Sequence, residues 1–95
     1  MLSKKEFVNR FSKKGYTKID SNTITDDFIM TLREIMAEGE SVAFKGFGTF
    51  KVKDRAAKRV ALRDGQDMIV PAHKAPLFSA GAILKQEVKD GVIRN

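Results

Sequence analysis

The chain has no cysteine and no tryptophan, and among its 95 residues only two prolines, one tyrosine and one histidine. Without cysteine there is no disulfide framework, no thiolate nucleophile and no cysteine-zinc site, which fits a reducing compartment. No apolar run is long enough to span a bilayer. The opening stretch MLSKKEFVNRFSKK lacks the apolar region of a signal peptide, so an intracellular protein is expected. Signs of catalysis are equally scarce. His73 has neither cysteine nor a carboxylate set near it in sequence, so no metal site is expected. Asp26 and Asp27 are adjacent and on a helix would point about 100° apart. They suit a helix dipole better than a catalytic pair. Ser41 has no base in a supporting arrangement. Gly46-Phe47-Gly48 is a weak phosphate-loop signal, because Lys51 stands where a third glycine would fall and no helix follows. The sequence therefore predicts no enzyme, no cofactor and no metal.

What the chain has is positive charge. Charged residues make up 32% and hydrophobic residues 42%, the balance of one small folded domain. A net charge of +6 and a pI near 9.8 point to an acidic partner, nucleic acid or an anionic membrane surface.

The patterning predicts an α+β chain. Ser3 and Glu6 have capping-box spacing ahead of Phe7, Val8 and Phe11, which predicts a helix over 3–14 stopped by Gly15. A second helix is expected from Asp20 or Ser21 to Glu38, closed by Gly39. Its apolar residues, among them Ile24, Phe28, Leu32 and Ile35, form a stripe too broad for so small a chain to cover. A second copy is expected to cover it. Ser41–Lys45 alternates as a strand with Val42 and Phe44 inward, and a turn leads to another strand from Thr49. That strand runs on through KVKDRAAKRVALR to Asp64-Gly65, a hairpin signal. Pairing Arg63 with Gln66 would set Lys51 opposite Phe78. Pro71 and Pro76 suit edge or bulge positions. Ser79 is the expected cap of a last helix, AGAILKQEVK, which Gly91 closes.

Residues 51–63 carry six lysines or arginines against one aspartate, a net +5 that is nearly all of the chain's excess. Edge-strand lysines that guard against aggregation explain one or two of them. A long cationic hairpin with almost no large apolar face fits a DNA groove better. There each neutralised phosphate adds salt-sensitive, sequence-independent affinity.

GFGTF at 46–50, RAA at 55–57 and PAHKAPLFSAG at 71–81 resemble the HU and integration host factor family of bacterial DNA-bending proteins. The resemblance runs from SKKEF to LKQEV. It implies a single domain forming an intertwined dimer, homodimer or heterodimer. Residues 1–39 would be the helical dimerisation part. Residues 40–81 would form a three-stranded saddle sheet extended at about 51–74 into a long β-ribbon arm, and 82–95 the C-terminal helix and tail. By position, Lys53, Arg55, Lys58, Arg59 and Arg63 match arm contacts, Lys74 a lysine of the return leg, and Lys4 and Lys85 basic positions on the body. Phe47, Phe50 and Phe78 match the aromatics beneath the saddle. The chain departs from the family at the tip, where the usual Arg-Asn-Pro-x-Thr-Gly is replaced by VALRDG and the arm is one residue shorter. Leu62 falls at the proline's place, with Val60 the alternative wedge. Ala82 stands where the family often has a basic residue.

The resemblance implies a cytoplasmic, nucleoid-associated protein without a membrane role. It would bind duplex DNA through the minor groove with little sequence specificity, bend and compact it, and prefer nicked or distorted DNA. A site-specific bender like integration host factor and a basic module for acidic protein or anionic lipid are the competing readings.

Overall fold

The computed structural model describes residues 1–93. Its elements are α1 (Lys4–Ser12), α2 (Lys18–Ala37), β1 (Val42–Phe44), β2 (Gly48–Arg55), β3 (Lys58–Ala61), β4 (Asp67–Val70), β5 (His73–Ala80) and α3 (Ala82–Asp90). This is the expected α+β order. The chain divides into two compact units, Met1–Glu34 and the remainder from Ile35.

In the first unit, Ser3 caps α1. Its Oγ accepts the Glu6 N–H at 3.3 Å and donates to Glu6 Oε1 at 3.3 Å. The helix is shorter than expected, because after Ser12 the chain tightens into i→i+3 bonds and reaches Gly15 at φ +110°. The second helix starts at Lys18 rather than at Asp20 or Ser21. The reason is its cap: Thr17 Oγ1 accepts the Asp20 N–H at 3.0 Å, so Asp20 lies in the first turn. Ser21 and Thr25 are buried. Each hydroxyl donates to the carbonyl one turn back, at 2.7 and 2.8 Å, so burial leaves neither unsatisfied. Val8 is the only buried hydrophobic side chain among the described residues.

In the second unit, β1, β2 and β5 form an antiparallel sheet in the order β1-β2-β5. A tight turn joins the first two, with the Phe47 N–H bonded to Phe44 O at 2.9 Å and Gly46 at φ +82°. Gly48 begins β2, one residue before the expected Thr49, and it has to be glycine. A Cβ there would stand 2.6 Å from Ser79 O and 2.7 Å from Phe78 Cζ. The aromatic residues then collect on one another: Phe50–Phe78 at 4.7 Å, Phe47–Phe78 at 5.4 Å and Phe44–Phe50 at 6.1 Å between ring centroids. Pro76 pairs with Val52, whose N–H turns the other way to Ser41 Oγ at 3.1 Å. The donorless nitrogen of Pro76 therefore faces the open edge of β5, as expected for a strand proline. The expected cap of the last helix is corrected. Ser79 stays in β5 opposite Thr49, and Gly81 is the N-cap of α3. Gly91 closes that helix in the left-handed region. No helix among the described residues is long and apolar enough to cross a membrane.

Candidate nucleic-acid interface

The hairpin register decides which side chains meet, and it differs by one residue from the expected one. The turn is not the two-residue type, which needs φ > 0 at Asp64 as well as Gly65. Only Gly65 has it, at +83°. The loop therefore takes three residues, Arg63-Asp64-Gly65. The Gly65 N–H bonds to Leu62 O at 3.1 Å, and the Leu62 N–H to Gln66 O at 2.7 Å. Asp64 Oδ1 accepts the Gln66 N–H at 3.1 Å and steadies the turn. As a result Lys51 pairs with Leu77, not Phe78, and Phe50 pairs with Phe78.

Side chains alternate along a strand, so this register sorts the cations by face. Lys51, Lys53 and Arg55 share one face of β2, spaced about 6.6 Å apart at 3.3 Å per residue. Ala75 and His73 stand opposite Lys53 and Arg55 on that face. The other face carries Phe50, Val52 and Asp54 opposite Phe78, Pro76 and Lys74. Lys74 Nζ donates to Asp54 Oδ1 at 3.0 Å. The structure thus brings Lys53 and Arg55 together and places Lys74 on the opposite face. Beyond Arg55 the ladder stops. Ala56 and Ala57 on one leg, and Pro71 and Ala72 on the other, belong to no strand. His73 Nδ1 lies 2.9 Å from Pro71 O.

The tip is a separate two-stranded sheet. Lys58 pairs with Val70 and Val60 with Met68 on one face; Arg59 pairs with Ile69 and Ala61 with Asp67 on the other. Arg59 Nη1 lies 3.9 Å from Asp67 Oδ2. The expectation of almost no apolar face needs correction here. Val60 and Val70 are half-buried on one side of the ribbon, and alternation carries Leu62 to the side of Val60 and Met68. Leu62 and Met68 are 41% and 50% exposed, so the tip presents apolar surface to solvent. The expected DNA contacts left out Met68 at the tip and Lys51 at the start of the cation row. Their signals were present in the alternation, but only the correct register makes them readable.

The body residues are placed as follows. Lys4, in the first unit, forms an ion pair with Asp26. Lys85 is exposed on α3. Of the expected core, Leu32, Ile35, Phe44 and Phe50 are half-buried, whereas Phe28, Phe47 and Phe78 remain exposed within one chain. Among the described residues, no group of three or more histidines or carboxylates could hold a metal ion.

Residues 2–89 match the family model described as "Bacterial DNA-binding protein". DNA-binding protein HU of Thermotoga maritima is 38% identical over 90 residues, covering 93% of this chain and all of that protein. DNA-binding protein HU of Campylobacter jejuni is 36% identical over 89 residues, covering 92% and 91%. The Anabaena HU–DNA cocrystal structure superposes with a TM-score of 0.83 at 29% identity, over 93% of this chain and 97% of that one. A mutant HU from Thermotoga maritima gives 0.69 at 32% identity, over 92% and 99%. A cationic row on one face of a two-stranded arm accords with that company, and the chain belongs to the bacterial DNA-binding protein family that includes HU.

Proposed function

We propose that two copies of the chain form an architectural DNA-binding protein that holds duplex DNA through the minor groove with little sequence specificity, bending and compacting it. The observation that carries this reading is the row Lys51, Lys53 and Arg55 on one face of β2, with Lys58 and Arg63 adding positive charge farther along the arm. A row of cations along a ribbon meets phosphates and reads no base, which gives affinity without sequence preference. A relative crystallised with DNA supports the same reading. Leu62, with Met68 beside it, is the apolar wedge that opens a base step. Dimerisation is supported by how little one chain buries: Phe28 and Ile29 on α2 stay about half exposed. The protein acts in the cytoplasm on the nucleoid and is not an enzyme.

The test compares linear, nicked and four-way-junction DNA of unrelated sequences across a salt series, with bending followed by energy transfer between end labels. Steep weakening of affinity with salt, similar for all sequences, and tighter binding to nicked and junction DNA are expected. Binding confined to one sequence would instead identify a site-specific bender. Salt-insensitive or absent duplex binding would end the reading.

A further inference from the structure

Lys74 stands apart from the other arm cations in three respects. It lies on the aromatic face of the β2–β5 ladder, not with Lys53 and Arg55. Its ammonium is already occupied by a carboxylate directly across the ladder, Asp54 Oδ1 at 3.0 Å. Its stem runs beside the end of α2: Lys74 Cε is 4.0 Å from the place a Cβ on Gly39 would take. That helix end is short of positive charge. The last turn of α2 contains no basic residue, and Glu38 and Glu40 flank Gly39. A helix C-terminus carries partial negative charge and favours a cation beside it.

The position along the arm matters as much. Asp54 and Lys74 form the second-to-last rung of the ladder. After Arg55 and His73 the pairing stops at two alanines on one leg and Pro71-Ala72 on the other. A tie placed here joins the two legs one rung before the pairing stops. Both side chains are largely exposed, and an exposed pair is weak in water by Coulomb attraction alone. The cross-strand register sets the two side chains directly opposite one another.

We propose that Lys74 is the positioning residue of the arm root rather than a phosphate contact, with Asp54 occupying the place a phosphate would take. The consequence for DNA rests on the duplex-binding reading; the tie itself does not. Two measurements separate them. The first is the salt dependence of duplex affinity for Lys53→Gln, Lys74→Gln, Asp54→Asn and the Asp54→Asn/Lys74→Gln pair. The second is amide hydrogen exchange at residues 52–55 and 73–75, made without DNA. Lys53→Gln should lower the salt slope by about 0.9 for each phosphate it no longer neutralises. Lys74→Gln should leave the slope at the parent value, speed exchange at the arm root several-fold and reduce bending, with Lys74→Arg restoring protection. Asp54→Asn should raise the slope by freeing Lys74, and the added Lys74→Gln should cancel that rise. A slope that falls in Lys74→Gln as far as in Lys53→Gln would overturn the proposal, as would unchanged exchange at the root. If neither lysine moves the slope but root exchange still quickens, the tie stands and the duplex reading fails.

Discussion

Leu62 is exposed at the end of an outgoing leg whose other outward side chains are mostly cations and alanine, and it contributes little to folding there. Val60, two residues earlier, is half-buried against the ribbon, so Leu62 is the better placed of the two to enter a base step. Leu62→Ala should leave the fold and the salt slope intact while reducing bending and the preference for nicked over intact duplex. Unstacking a step costs a few kcal/mol and less where the duplex is already nicked, so a wedge favours nicked DNA and its removal should cost most affinity there. Energy transfer on end-labelled duplexes measures it, and equal bending with a defect in Val60→Ala would assign the wedge to Val60. Gly48 is the opposite kind of residue, important for what it lacks. Gly48→Ala puts a methyl group 2.6 Å from a backbone carbonyl of β5, which cannot yield as a side-chain end could. A destabilisation of about 1–3 kcal/mol is expected from such overpacking, read from urea melts at one protein concentration.

At the scale of the element, the arm is an exercise in register. The pairing first expected would set Lys74 opposite Arg55 and Lys51 opposite Phe78. The observed pairing is one residue away and sets Lys74 opposite Asp54 and Phe50 opposite Phe78. Opposite charges and aromatic pairs across a ladder are favourable, whereas like charges are not. The three-residue loop at Gly65 makes that register possible. The consequence for binding is that the arm cations are not equivalent. Arg55→Ala with Lys58→Ala should lower duplex affinity for every sequence alike and reduce the salt slope by roughly 0.9 per phosphate left unneutralised. Adding Arg59→Ala should change the slope less, because Arg59 already has Asp67 at 3.9 Å. Fluorescence anisotropy over a salt series checks both. Gly65→Ala should weaken the tip hairpin by about 1 kcal/mol, since the residue has to hold a positive φ.

For the whole molecule, the shortage of interior is the leading fact. One buried hydrophobic side chain among the described residues, Val8, cannot stabilise a 95-residue fold. Phe7, Ile24, Phe28 and Ile29 line an apolar recess on the first unit that a second copy is proposed to fill. The melting temperature should therefore rise with protein concentration, and sedimentation at micromolar protein should give one dimeric species. Phe28→Asp should abolish folding by placing an unpaired charge in that interface, as circular dichroism would show. A folded monomer with a concentration-independent melt would refute the dimer.

The three helices, the sheet strands and their order, the Ser3 cap, the glycine stops, the place of the turn at Asp64-Gly65 and the concentration of charge between residues 51 and 63 were legible in the sequence, whereas the break of both arm legs, which makes the tip a separate two-stranded sheet, was not. Each of these signals lies within a few neighbouring residues, where propensity, capping and alternation act directly. Other features came only with the fold. The Thr17 cap, which starts the second helix at Lys18 ahead of the expected Asp20 or Ser21, is one of them. Ser79 stays in β5 opposite Thr49 and leaves the cap of α3 to Gly81. The face on which each arm cation stands depends on a one-residue choice of register. Turn geometry and cross-strand contacts between residues some twenty positions apart, such as Asp54 and Lys74, make that choice, and no local pattern in either strand records it.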